Sequence, residues 1–194
     1  MKEEQLHRKF SHIHDVILTP KFLTMEALGG EIPFWISAYN PKQETEILAE
    51  TQNLKIRLQN EGITAHLVNL FELSMKLVDT HIGLEKMFTI EKRKSKEKFK
   101  KALQSTINIH ERLIPVIRKE VDEHQPDLLC ITGVGSVFPF IRSHTVLNNL
   151  QSAVKDIPTL MFFPGKYNGQ SLELFGLMKD DNYYRAFNID HYKL

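Results

Sequence analysis

At 194 residues, with 42% hydrophobic and 25% charged residues, the chain is long enough for one well-buried domain and has the composition of a globular protein. Twenty-five Lys and Arg against 24 Asp and Glu leave a net charge of +1, which gives no global reason to expect a nucleic acid or an anionic membrane as main partner. The single cysteine, Cys130, excludes an internal disulfide, no run reaches the 18 apolar residues of a membrane span, and the amino-terminal segment lacks the apolar stretch of a signal peptide. A cytoplasmic protein with no membrane partner is expected.

From about Glu3 to Ile17, Leu6, Phe10, Ile13 and Ile17 recur at helical spacing and predict an amphipathic helix. His12 and His14 within it point apart and are read as solvated side chains. A short apolar segment, Phe22, Leu23 and Leu28, is broken by Gly29-Gly30. Ile32 to Tyr39 suits a first buried strand, and Asn40-Pro41 caps a helix whose inner face is Ile47, Leu54 and Leu58, ending near Gly62. Ile63 to Leu70 reads as a second strand. Asn69 with Glu72 resembles a capping box for a helix through about Asp79.

Between Glu91 and Lys101 seven cations face two carboxylates, a run read as a solvated helix face. Direct DNA binding there is the alternative, so DNA is expected as a weak or indirect partner. The stripe Phe99, Leu103, Ile107, His110, Ile114, Ile117 and Val121 predicts one long helix, or two joined near Pro115, with His110 as a core histidine. This makes residues 82–125 a helical elaboration of a single domain spanning 1–194.

Asp127 to Leu150 is the organising stretch. An apolar strand reaches Thr132, turns through Gly133-Val134-Gly135, and enters a helix with Pro139 in its first turn and Arg142, Ser143, His144, Asn148 and Asn149 along it. Ile157 to Phe163 is a further strand closed by Pro164-Gly165. Lys166 to Ser171 is a polar loop, Leu172 to Met178 a short helix, and Lys179 to Asn182 a turn into a last strand, Tyr183 to Ile189. Strands alternating with helices predict an α/β fold: a mostly parallel sheet of about five strands, Rossmann-like or flavodoxin-like, with helices on both faces.

In such a sheet the loops after neighbouring strands converge at their carboxyl ends. Asn40, Thr132, Gly133, Gly135, Ser136, Tyr167, Asn168, Gln170 and Ser171 would meet there, hydrogen-bonding groups with few charges. The Gly133-Gly135 loop leaves a nucleotide-binding or hydrolysing module as one alternative, although it lacks the P-loop lysine and has Phe138 where a dinucleotide loop has its third glycine. Adjacent Ser143 and His144 cannot pair as nucleophile and base, and no metal-ligand spacing occurs, so neither metal nor cofactor is expected. Arg142, Tyr167, Asp181, Asn182, Tyr183, Tyr184 and Arg185 are suited instead to a protein interface.

Thr132 to Leu150, then Phe163 to Leu177 with its Pro164-Gly165 pair, Lys179 to Phe187, and the early Glu31-Ile-Pro-Phe34, together resemble the BrxB family of bacteriophage exclusion (BREX) defence systems. The resemblance implies a noncatalytic component of an antiphage system. It would work with a PglZ-like protein of the alkaline-phosphatase superfamily, alongside a methyltransferase and an ATPase. The expected partner surface is formed by Gly133 to Asn149 and Pro164 to Arg185, with Thr132 beside it.

Overall fold

The computed structural model describes residues 2–25, 34–179 and 186–194. The chain opens with helices α1 (Lys2–Ile17) and α2 (Pro20–Leu23), followed by strand β1 (Phe34–Tyr39) and helix α3 (Glu44–Asn60). Strand β2 (Ala65–Asn69) leads into four helices, α4 (Leu70–His81), α5 (Leu84–Arg93), α6 (Lys96–Ile107) and α7 (Ile114–His124). Then come β3 (Leu128–Thr132), α8 (Ser143–Ala153), β4 (Thr159–Tyr167), β5 (Leu172–Leu174), β6 (Met178–Lys179) and β7 (Phe187–Asn188).

Five strands form a parallel sheet in the order β2-β3-β4-β1-β7, and β4 runs on beyond it to pair antiparallel with β5, which pairs with β6. The side-chain period of two divides each strand between two cores. Phe34, Ile36, Leu129, Ile131, Met161 and Phe163 face α4 to α8, while Trp35, Leu128, Cys130, Leu160 and Phe162 face α1 to α3. The chain steps outward from β1 to β2 with α3 on one face, then back through β3 and β4 with its helices on the other. Reversing direction and face together keeps the three crossovers from β1 to β4 of one hand.

Local chemistry explains the element ends. Asn69 Oδ1 accepts from Phe71 N (3.0 Å) and Glu72 N (3.3 Å), and its amide reaches Glu72 Oε1 (3.3 Å), the expected cap of α4. Asn40 caps a 3-10 turn, Pro41–Gln43, that precedes α3.

Several expectations are corrected. The long helical stripe breaks at Asn108, in positive φ, and continues through a π turn, Ile109–Leu113, so Pro115 falls harmlessly in the first turn of α7. The wider π turn shifts the helical phase and leaves His110 exposed instead of in the core. Pro164-Gly165 lies inside β4 and does not close it. Leu172 to Met178 is a hairpin, β5 to β6, and not a helix, because Leu172 and Leu174 alternate into the core and Phe175 and Gly176 turn back at positive φ. The helix expected after Gly135 starts only at Ser143. Residues 134–142 are turns containing a cis Phe138-Pro139 bond. Of the last strand only Phe187–Asn188 is seen. The expected Leu28, Gly29-Gly30 and Ile32-Pro33 lie outside the described residues, as do Asp180, Asp181, Asn182, Tyr183, Tyr184 and Arg185.

Candidate functional site: a pocket with a cationic rim

β4 lies between β3 and β1, so the carboxyl ends of the three strands are neighbours; the loop after β3 and the β5–β6 hairpin that follows β4 come together there, whereas Asn40 and the loop after β1 are not among the described residues lining the pocket. The glycines there serve close approach. Gly133 has φ +70°, and a Cβ on it would overlap Asn69 Oδ1, the atom that caps α4. A Cβ on Gly135 would lie 2.9 Å from both Phe175 and Pro164, and one on Gly165 would overlap the Glu173 carbonyl oxygen. These contacts lock the β3 loop against the strand-β2 end and against the β5–β6 hairpin. The positions a side chain would take at Gly133 and Gly135 are filled by Asn69, Pro164 and Phe175.

Beneath the hairpin lies a cavity of about 310 Å³, lined by Val134, Phe138, Ile141, Phe163, Leu172 and Leu174, with Arg142, Ser143, Met178 and Lys179 at its rim. Phe138 meets Phe175 edge-on, ring centroids 6.5 Å apart, which holds the loop to the hairpin. Arg142 is exposed at the position before α8, makes no capping bond, and with Lys179 gives the rim two cations. Outside the cavity Leu177 is 83% exposed at the hairpin turn, with Met178 next to it.

The other expected residues divide between packing and surface. Thr132, Pro164 and Tyr167 are buried, and the Tyr167 hydroxyl donates to Ala186 O (2.6 Å), which anchors the chain's last segment. Asn149 spends its amide on Thr145 O (2.6 Å). Asn148 and Gln170 are exposed, His144 is half-buried, and Ser171 donates its N–H to Asn168 Oδ1 (2.7 Å) in a polar turn that Gln170 N also closes.

Sequence reasoning missed two polar clusters. Asp190 accepts from Lys9 Nζ (2.6 Å), Ser37 Oγ (2.9 Å) and Ala38 N (3.1 Å), while Lys9 also donates to Ala38 O (2.8 Å). Burial pushes the Lys9 ammonium below its ordinary pKa, against the opposing pull of Asp190. At the far end of the sheet His66 meets Glu120 (3.1 Å) and stacks on His124, centroids 4.9 Å apart. Both clusters join residues distant in sequence, so no spacing announces them. Among the described residues no three His, Cys, Asp or Glu gather as metal ligands, and no helix is long and apolar enough to cross a membrane.

Fold and site define a parallel α/β protein with a pocket of mixed polar and apolar lining, rimmed by Arg142 and Lys179, beyond the carboxyl ends of β3 and β4. The family model for BREX protein BrxB matches residues 66–189. A BREX protein BrxB of Bacillus cereus (strain H3081.97) is 36% identical over 188 residues, covering 95% of this chain and 97% of the relative. Another from Escherichia coli O9:H4 (strain HS) is 30% identical over 189 residues, covering 97% of this chain and 94% of the relative. No solved structure matches. The chain belongs to the BrxB family, and as a BREX component its role lies in phage defence.

Proposed function

We propose that this protein is a noncatalytic adaptor of its BREX system and that it docks onto a PglZ-like protein of the alkaline-phosphatase superfamily, with the methyltransferase and ATPase of the system as further partners. The observation that carries the reading is the cavity of about 310 Å³ beside the exposed Leu177 and Met178, rimmed by Arg142 and Lys179. An apolar side chain of the partner enters the cavity, Leu177 packs on the partner, and the rim cations meet a carboxylate.

Co-purification from cells expressing both proteins tests this. Leu177→Asp and Arg142→Glu are expected to lose the partner while keeping the wild-type melting temperature, since both side chains are exposed. Undiminished recovery of the partner by both variants would contradict the reading. The nucleotide-binding alternative is tested apart from it. Because Asn69, Pro164 and Phe175 fill the glycine loop, millimolar ATP is expected to leave the melting temperature unchanged, and a rise of several degrees would restore that alternative.

A further inference from the structure

Between α5 and α6 the chain makes a convex tip in which residues 91–98 are all exposed. Arg93, Lys94, Lys96 and Lys98 crowd it, flanked by Lys92, Lys100 and Lys101. Only Glu91 and Glu97 oppose the seven cations, and none of the seven joins an ion pair among the described residues. The whole chain carries +1, so the other 183 residues carry a net −4 against +5 in these eleven. Solubility does not call for such segregation, whereas steering toward a polyanion does.

The placement also has a local cost. Lys96 and Lys98 stand in the first turn of α6, at the positive end of the helix dipole, and Lys96 and Lys100 are like charges one turn apart. Ser95 Oγ accepts from Lys98 N (3.4 Å) and so caps the helix in spite of them. The tip carries no apolar residue between Glu91 and Lys98 to enter a bilayer. Its seven cations lie within eleven residues of one exposed turn and its flanking helix ends, a density of positive charge suited to a row of phosphates.

We propose that the α5–α6 tip docks on the phosphate backbone of duplex DNA, without base readout. The site is remote in sequence from the hairpin and cavity and does not depend on the adaptor reading.

Fluorescence anisotropy of a labelled 30-bp duplex with the full-length protein tests it. Binding is expected at 50 mM salt, and raising the salt to 200 mM should weaken it by roughly 40-fold if three phosphates are neutralised. A triple Lys94→Glu, Lys96→Glu, Lys98→Glu variant should lose binding at 50 mM while melting as wild type. A control with the same charge change at the exposed Lys21, Lys42 and Lys155 should bind within about threefold of wild type. Equal loss in the control would reduce the effect to net charge and overturn the proposal. So would salt-independent binding, no binding at 50 mM, or binding of the tip to phosphatidylserine vesicles in place of DNA.

Discussion

Asp190 joins three segments far apart in the sequence: Lys9 on α1, Ser37 and Ala38 on β1, and its own 3-10 turn after β7. Its carboxylate satisfies the Ala38 N–H, and Lys9 offsets its charge in a largely covered place. Removing it in Asp190→Ala leaves a half-buried ammonium without its counterion, and urea unfolding is expected to show a loss of about 3 kcal/mol. A loss below about 0.5 kcal/mol would show that the network is incidental. Cys130 offers a second test at this scale. Burial pushes its thiol up to about 12 from an ordinary 9.0, so the folded chain holds this proton where the unfolded chain releases it. Its contribution is therefore fully present below pH 9 and is lost as the pH rises toward 12. Lys9 has the opposite sign, because its lowered pKa makes stability rise with pH up to the ordinary lysine value. The Cys130 effect must consequently be read as a difference, wild type minus Cys130→Ala, which should shrink between pH 9 and 11. A constant difference would contradict it.

At the scale of elements, the glycine turn after β3 clamps its neighbours. Gly133→Ala forces a side chain into positive φ and into the oxygen that caps α4, with an expected cost of about 2–3 kcal/mol. In an Asn69→Ala background the overlap is gone, so the same substitution should cost about 1 kcal/mol less, measured as a double-mutant cycle. Additive effects would mean that the two loops do not clamp each other. Much of this level was readable in advance. The caps at Asn40 and Asn69 and the apolar stripes of α1, α3 and α4 follow from rules that act within one turn. The β5–β6 hairpin did not follow, because Leu172, Leu174 and Met178 fit a short helix as well as two short strands, and only pairing with the far end of β4 decides between them. The phase of α6 to α7 was lost for a related reason: a π turn adds a residue to the repeat without any change in hydrophobicity.

For the whole molecule, sequence periodicity predicted the parallel sheet with helices on both faces, yet the order β2-β3-β4-β1-β7 depends on which strands meet. That order sets β3 beside β4 and so builds the site from the loop after β3 and the hairpin that follows β4. Arg142 was legible as a candidate because an arginine beside a glycine turn has little packing to do, and it stands exposed at the pocket's rim. Leu177 was not, since an exposed leucine and a buried one look alike until the hairpin is folded. The chain then presents two surfaces of different chemistry, a pocket of mixed lining with two cations at its rim and a basic tip between α5 and α6. Substitution at one is expected to leave the function of the other intact.

The central claim, that the hairpin and its cavity hold the PglZ-like partner, is tested most directly by hydrogen exchange of the protein alone and in the purified complex. Protection is expected to rise at residues 134–146 and 172–179, with little change along α1 to α3. Protection confined to α1–α3 or to the α5–α6 tip, with the hairpin exchanging as in the free protein, would contradict it.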